Sequence, residues 1–488
     1  MPPTSTSSGW RWNHTYAALP DAFYTAVPPT PAPAPSLVVF NATLARSLGL
    51  AADRLGGEHG AAIFSGSALP GGAEPIAQAY AGHQFGNFTM LGDGRAILLG
   101  EHLTPDDRRV DVQLKGAGRT PYSRGGDGKA ALGPMLREHL IGEAMHGLGI
   151  PTTRSLAVIV TGEPVYRETE LPGAVLTRVA DSHLRVGTFE YAARFVGPDA
   201  VQALADYAIA RHFPEVRDAD RPYRALWEAV ARRQAELIAR WMGVGFVHGV
   251  MNTDNVAIAG QTLDYGPCAF LDAYDPAAVF SSIDQFGRYA YGNQPTITRW
   301  NLARLAEALL PLFDETPEAA LAWAQEAVDG LERTLFDAWL NEMRKKLGLD
   351  GTDEGDEALI NDWLSWMQAD KLDFTNTFRG LSAALVDTPD TDACFASEPF
   401  RAWQARWLDR IADRTATAER MRQHNPAFIP RNHRVEAALD AAVQNGDLDP
   451  YRRLLAALAR PYDDQPKHDE LREPAPANAP PYRTFCGT

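Results

Sequence analysis

The stretch Gly245-Phe-Val-His-Gly-Val-Met-Asn-Thr-Asp-Asn255, with Thr262-Leu-Asp-Tyr-Gly266 close behind it, decides how the rest of the 488-residue chain is read. It brings two carboxylates and an amide, Asp254, Asn255 and Asp264, into one short span. Oxygen-bearing side chains of this kind suit a hard divalent cation and the phosphates that travel with it. Between them, Val256-Ala-Ile-Ala259 and Thr262-Leu263 read as two short strands joined by Gly260-Gln261, a two-residue turn of the glycine-first type. Antiparallel pairing is then expected to draw Asn255 and Asp264, at the outer ends of that hairpin, towards one another.

Upstream, Leu226, Val230, Leu237, Ile238 and Trp241 share a stripe over Tyr223 to Met242, a helix expected to end at Gly243-Val-Gly245. From about Gln84 to Val186 the pattern is strand-like: Ala96 to Leu99, Val110 to Leu114, Leu156 to Val160 and Ala174 to Thr177. One helix, Met135 to Leu148, interrupts it with Leu136, Leu140, Ala144 and Leu148 on one face. The loop Gly92-Asp-Gly-Arg95 suits close approach of backbone N–H groups to phosphate, though a plain hairpin turn has the same composition. Lys115 ends a buried strand, and Glu138 lies one turn into the later helix, where it can hold that lysine.

Glycine loop, strand lysine and helix glutamate, in that order, follow the logic of protein kinases. Written against the kinase catalytic loop His-Arg-Asp-x-x-x-x-Asn, the segment His248-Gly-Val-Met-Asn-Thr-Asp-Asn255 aligns without a gap. His248 and Asn255 match, but Val250 stands at the catalytic aspartate, and valine accepts no proton. Asp254 supplies a carboxylate beside Asn255 instead, and Asp264-Tyr-Gly266 replaces Asp-Phe-Gly. The cation ligands are kept and the base has moved. His248 itself is read as a structural histidine.

Two further features border this set. The run Lys115-Gly-Ala-Gly-Arg-Thr-Pro-Tyr-Ser-Arg-Gly-Gly-Asp-Gly128 is either a wrap for an anionic ligand or a mobile surface loop. Arg178 and Arg185 bracket Asp181-Ser-His183 and are either phosphate clamps or members of solvated ion pairs. The expected fold class is α+β, a protein-kinase-like bilobal fold with a β-rich N-lobe, a helical C-lobe, an N-terminal arm and a helical C-terminal extension. The expected divisions are an arm over 1–75, carrying the proline-rich Pro28 to Pro35; an N-lobe over 76–190; a C-lobe with the catalytic loop over 191–310; and a helical region with tail over 311–488. Helices are expected at Trp300 to Phe313, Ala319 to Lys346, Glu357 to Gln368, Phe400 to Ala412 and His433 to Val443.

Bulk properties narrow the function. A net charge of −16 opposes an extended nucleic-acid or anionic-membrane surface. No apolar run approaches the roughly 18 residues that span a bilayer, and three scattered cysteines make no disulfide framework or Cys-x-x-Cys pair. A cytoplasmic protein without nucleic-acid or membrane partners is the expectation.

These motifs together resemble the selenoprotein O family of kinase-fold protein adenylyltransferases. The resemblance runs through Gln78-Ala-Tyr-Ala-Gly-His-Gln-Phe-Gly86, Leu91 to Arg95, Gln113 to Arg124, His248 to Asn255, Asp264-Tyr-Gly-Pro267 and Tyr482-Arg-Thr-Phe-Cys486. It implies that ATP lies reversed relative to a kinase, so that AMP passes to Ser, Thr or Tyr hydroxyls of target proteins and pyrophosphate leaves. It also implies roles: Asp254 as proton acceptor; Asn255 and Asp264 as ligands of Mg²⁺ or Mn²⁺; Gly92, Gly94, Arg95, Lys115, Asp127, Gly128, Arg178, Arg185 and Asp264 around the nucleotide; Glu138 holding Lys115. The resemblance also implies, in some relatives, a selenocysteine near the C-terminus where this chain has Cys486, and in many a cysteine after the Asp-Tyr-Gly segment able to bridge to the tail; here Phe280 takes that second position. Cys268 is then either a substitute partner for Cys486 or a plain buried thiol. An atypical protein kinase with a displaced base and a nucleotide-binding pseudokinase scaffold remain as alternatives.

Overall fold

The computed structural model describes residues 8–386, 393–476 and 478–485. Its first part is built on a nine-stranded sheet in which every pairing of named strands is antiparallel. The chain enters it through β1 (Trp12–Asn13), β2 (Tyr24–Ala26) and β3 (Ser36–Phe40), followed by three short helices, α1 (Ala42–Ser47), α2 (Ala52–Leu55) and α3 (Glu58–Phe64). Next come β4 (Ile76–Gln78), a separate hairpin of β5 (Ala81–Gln84) and β6 (Asn87–Met90), β7 (Ala96–Leu103), β8 (Arg109–Lys115) and β9 (Ala130–Ala131). Helix α4 (Leu132–Gly147) then leads to the long strands β10 (Arg154–Tyr166) and β11 (Glu170–Ala180). The strand order is β2-β4-β7-β8-β11-β10-β3, with β1 added on β7 and β9 on β11.

The stretch expected as an extended arm supplies three strands to the sheet and three short helices. The proline-rich segment between β2 and β3 forms no strand, because proline has no N–H to give a ladder; only single bonds, from the Thr30 N–H to the Ala117 carbonyl at 2.8 Å and from the Ala34 N–H to the Thr161 carbonyl at 3.0 Å, join its backbone N–H groups to backbone carbonyls. The apolar run Leu37-Val-Val-Phe40 pairs with β10 at Ala157 to Ile159. Strand β7 is buried from Ala96 to His102, and α4 lays Leu136, Leu140 and Ala144, all fully buried, against the core below the sheet.

Beyond the sheet the chain is helical. Helix α5 (Val186–Tyr191) runs into a π-helical turn, Ala192–Val196, followed by α6 (Pro198–His212) and α7 (Pro222–Gly243). Proline at its first position starts α7, and Gly245 just past its end takes the left-handed conformation, φ +72°. Two short strands, β12 (Phe246–Val247) and β13 (Ala269–Phe270), pair and close the base of the loop 248–268. Helices α8 (Gln294–Phe313), α9 (Pro317–Leu347), α10 (Asp356–Ala369), α11 (Phe374–Ala384), α12 (Glu398–Leu408), α13 (Arg414–His424), α14 (Asn432–Asn445) and α15 (Asp449–Leu458) complete the fold. The stretch expected as one helix to Ala412 stops at Leu408, and α13 begins afresh at Arg414 with Asp413 capping it. No helix among the described residues is long and apolar enough to cross a membrane.

The expected hairpin after Asn255 is a different turn. Val256 and Thr262 meet in one isolated antiparallel bridge, and the turn is Ala257 to Gly260, closed by the Gly260 N–H on the Ala257 carbonyl at 3.0 Å. Thr262 also forms a bridge with Thr152 and gives its N–H to the Pro151 carbonyl at 3.0 Å. Tied to the sheet side in this way, it has no ladder left for a full hairpin.

Candidate active site

The end of β8, the middle of α4, β11 and the loop 248–268 converge on a closed group of four charges. Lys115 Nζ donates to Glu138 Oε2 at 2.6 Å and to Asp264 Oδ2 at 2.7 Å. Arg178 donates through Nε to Glu138 Oε1 at 2.8 Å and through Nη2 to Asp264 Oδ2 at 3.0 Å. Each cation therefore touches both anions. Lys115, Glu138 and Arg178 are buried, so their removal from water is offset mainly by this mutual pairing, with Arg178 also donating to Gln113 Oε1 at 3.5 Å. The Asp264 side chain, 28% exposed, is the one that opens onto the cleft. Burial works against its charge, but Lys115 and Arg178 outweigh it and hold the carboxyl well below the usual range.

Asp254 is in the opposite condition. It sits in the one-turn helix Thr253–Asn255, is 8% exposed, and its Oδ1 has no hydrogen-bond partner. Burial pushes its carboxyl up to about 6; Arg185 opposes this, and the charges of Glu190 and Asp264 add to it. Two glycines fit it closely. A Cβ on Gly82 would stand 2.7 Å from Asp254 Oδ1, and one on Gly187 would collide with the Ala81 carbonyl and lie 3.3 Å from the Asp254 Cα. Beside it, Asn255 donates its amide to the Val250 carbonyl at 3.0 Å, which leaves the side-chain oxygen as an acceptor.

Arg185 stacks over the Tyr80 ring at 4.1 Å and donates to the Asp254 carbonyl at 3.1 Å. Its Nη2 lies 3.8 Å from Asp93 Oδ1. Asp93 Oδ2 accepts from the Gln78 N–H at 3.1 Å and from Gln113 at 3.2 Å, and burial pushes this carboxyl up to about 6. The Gly92–Arg95 loop is clasped by the next turn: Thr120 Oγ1 donates to the Asp93 carbonyl at 2.6 Å and Ser123 Oγ to that of Gly94. Gly92 takes φ +118°, and a Cβ there would run into the Tyr122 ring. Asp127 lies at the outer lip, paired with Arg167 at 2.8 Å, next to Gly128. Within the stretch 115–128, Gly118 and Gly128 are joined by a backbone hydrogen bond of 3.1 Å.

One cavity of about 960 Å³ is lined by Gly92, Gly94, Arg95, Lys115, Asp127, Gly128, Glu138, Arg178, Arg185, Asp254, Asn255 and Asp264 together. That volume is ample for a nucleotide. Val250 lines it too, so the position of the missing kinase aspartate faces the cavity with an apolar side chain. His248 lies buried, stacked on Trp241 at 5.3 Å, its Nδ1 accepting the Val250 N–H at 3.3 Å; burial pulls its pKa down to about 4.

Sequence reasoning left several contributors unassigned. Gly82 and Gly187 shape the Asp254 pocket, Asp93 and Tyr80 hold Arg185, and Glu190 accepts from Thr253 Oγ1 at 2.5 Å while lying 2.5 Å from His83 Nδ1. The motif Gln78 to Gly86 carried the signal for Tyr80 and Gly82, but no charged run marks it. The segment Tyr482 to Phe485 also lines the cavity, with Thr484 Oγ1 donating to the Pro267 carbonyl at 3.0 Å and the Thr484 N–H to that of Phe280 at 2.8 Å. Cys268 is fully buried, and burial pushes its thiol up to about 11, as for a packed thiol rather than a reactive one. Its suggested partner, Cys486, lies outside the described residues.

Comparison with known proteins adds an independent line. The family model described as "Protein adenylyltransferase SelO" matches residues 9–459. The chain is 59% identical over 485 residues to "Protein nucleotidyltransferase YdiU" of Geobacillus kaustophilus, covering 99% of this chain and 100% of the relative. It is 55% identical over 490 residues to the protein of the same name from Syntrophotalea carbinolica, covering 99% of each. Among solved structures, ROP2 from Toxoplasma gondii, described as having a protein-kinase fold and no enzymatic activity, is 10% identical with a TM-score of 0.25, over 70% of this chain and 85% of that one. A likeness that slight carries no argument.

Proposed function

Because the chain belongs to the protein adenylyltransferase SelO family and is a nucleotidyltransferase with ATP and proteins as substrates, we propose that Asp254 is the base that activates the acceptor hydroxyl for AMP transfer. The observation that carries this reading is the buried Asp254 carboxylate, with one oxygen unpartnered and a pKa raised to about 6, on the wall of the cavity that holds the basic cluster. A carboxylate so placed is ionised at neutral pH and close enough to it to take a proton efficiently.

The step is an in-line displacement. A Ser, Thr or Tyr hydroxyl of the target attacks the α-phosphorus, its proton passes to Asp254, the bond from the α-phosphorus to the bridging oxygen breaks, and pyrophosphate leaves. Such a transfer asks for positioning and for neutralisation of phosphate charge. Arg95, Lys115, Arg178 and Arg185 line the cavity and suit that task, with ATP reversed relative to a kinase so that its α-phosphate faces Asp254. Gly92 and Gly94 give the backbone room for phosphate, and Asp127 and Gly128 border the nucleotide at the lip. Glu138 holds Lys115 and Arg178 in place.

The residues present fit a hard cation, Mg²⁺ or Mn²⁺: Asn255, whose side-chain oxygen is left as an acceptor, and the carboxylate Asp264 line the same cavity as Asp254. Among the described residues no group of three His, Cys, Asp or Glu side chains that could hold a metal ion assembles. When bound, the cation supplies charge neutralisation on the phosphates. The deciding experiment runs parallel reactions with ATP labelled at the α- or the γ-phosphate against a cell extract. Label reaching protein from the α-position only is expected; label from the γ-position only identifies a kinase instead. Asp254→Ala should abolish transfer with ATP binding intact, whereas unchanged turnover would rule out this base.

A further inference from the structure

We propose that Glu190 is a positioning residue for AMP transfer: with His83 behind it, it holds the Thr253 hydroxyl and so fixes the one-turn helix that presents Asp254 to the cavity. The inference rests on Asp254 being the base. Glu190, His83 and Thr253 all lie outside the cavity's lining, so whatever they do for the reaction passes through their neighbour.

The three side chains form one buried knot. Thr253 Oγ1 donates to Glu190 Oε2 at 2.5 Å and accepts the His83 N–H at 2.7 Å. The other carboxylate oxygen, Oε1, lies 2.5 Å from His83 Nδ1; because a carboxylate only accepts, that ring nitrogen carries the proton. His83 thus meets the knot twice, through its backbone and through its ring. The ring in turn stands edge-on to Trp300 of α8 at 5.2 Å. Thr253 is fully buried and Glu190 nearly so, and bonds made away from water are the ones that fix a geometry.

The base hangs between two attachments to the same helix. On one side Thr253 is held by Glu190. On the other, Arg185, just before α5, donates to the Asp254 carbonyl at 3.1 Å, and the Val186 N–H donates to the Val256 carbonyl at 2.9 Å. Gly187 and Glu190, three residues apart, share a face of α5, and both meet the one-turn helix. Gly187 does so by close approach, since a Cβ there would stand 3.3 Å from the Asp254 Cα. Strand β5 closes the third side with Gly82, against Asp254 Oδ1. That oxygen has no hydrogen-bond partner of its own, so its aim follows from the backbone that carries it.

The chemistry of the knot explains why a glutamate stands at position 190. A carboxylate offers one acceptor oxygen to each of two donors, here a hydroxyl and an imidazole N–H. Glutamine keeps an acceptor for Thr253 and can donate to the other imidazole tautomer; leucine keeps neither bond. The pair of substitutions therefore separates the hydrogen bonds from the bulk of the side chain.

The test measures single-turnover AMP transfer to extract protein from ATP labelled at the α-phosphate, beside ATP affinity and melting temperature, on the full chain. Glu190→Leu and Thr253→Val should each lower the rate constant by about 10²-fold, as displacement of a reacting group by an ångström does, with ATP affinity near the wild-type value. Glu190→Gln and Thr253→Ser should keep most of the rate. Glu190→Leu/Thr253→Val should lose no more than either single variant, because all three remove the same contact. If Glu190→Leu melts too low to assay, Thr253→Val against Thr253→Ser decides by itself. Equal losses in the conservative and the apolar variants, additive losses in the double variant, or a rate constant unchanged throughout overturns the positioning role. Such a result beside a dead Asp254→Ala leaves the reading of Asp254 intact. Unchanged transfer by Asp254→Ala sinks that reading and this inference together.

Discussion

Gly82 stands so close to Asp254 that a Cβ at position 82 would lie 2.7 Å from Asp254 Oδ1. The carboxylate is thereby positioned by a residue with no side chain. Gly82→Ala forces Asp254 to shift, and displacement of a base by an ångström costs about 10²-fold in rate. We expect kcat for AMP transfer to fall by that order with ATP affinity near the wild-type value, checked by single-turnover transfer beside nucleotide binding. An unchanged kcat would show that Asp254 does not work from the position it holds here.

The raised pKa of Asp254 predicts how both activity and stability vary with pH. The carboxylate must be ionised to take a proton, so kcat/KM should fall as pH drops through about 6. For stability the sign is opposite to that of a salt-bridged aspartate. The folded pKa lies above the unfolded value near 3.9, so the folded state binds more protons between the two, and stability declines as pH rises from about 4 through 6. Asp254→Asn should therefore make the metal-free protein more stable by about 2–3 kcal/mol at pH 7.5, with the gain vanishing near pH 4. Urea unfolding with chelator at the two pH values measures it.

Glu138 is shared by two buried cations, Lys115 and Arg178. Glu138→Gln leaves both with Asp264 as their one carboxylate, and breaking a buried pair of this kind costs about 3–5 kcal/mol. A comparable fall in unfolding free energy is expected, with weakened ATP binding as the freed side chains drift. An unfolding midpoint equal to that of the wild type would show that the network does not hold α4 to the sheet.

Lys346, at the end of α9, is buried, with Nζ donating to Asn425 Oδ1 at 2.8 Å and lying 4.2 Å from the centre of the Phe378 ring. Burial lowers its pKa to about 7. Between pH 7 and the unfolded value near 10.4, the unfolded chain holds a proton that the folded chain does not. Stability should rise across that window and be lowest below it. Lys346→Met is expected to melt higher at pH 7 and to lose this rise, as read by thermal melts of both proteins from pH 7 to 10.

Much of the site was legible in the chain because its chemistry is local. Asp254, Asn255 and Asp264 lie in one loop, and Lys115 and Glu138 sit at the end of an apolar strand and on an amphipathic helix, both of which periodicity reveals. Arg178 was open between phosphate clamp and solvated ion pair; it is buried on Glu138 and Asp264, a choice made by residues far away in sequence. Gly82, Gly187 and Glu190 escaped for the same reason, since a glycine or a single glutamate acquires its role only from what packs against it. The turn after Asn255 was misread because Thr262 is claimed by Thr152, across the fold. In the first 40 residues, the prolines masked how the flanking runs join the sheet.

The closed circuit of Lys115, Glu138, Arg178 and Asp264 has a consequence for what the cleft admits. Two positive and two negative groups already cancel one another, so this part of the cavity wall offers little net charge to an anion. A ligand must carry enough charge to draw an ammonium and a guanidinium partly off their carboxylates. A nucleoside offers none, and inorganic phosphate offers little. A triphosphate accompanied by its own metal both displaces the internal contacts and replaces the charge they lose. The charge a ligand carries is therefore tested at this circuit before its shape is.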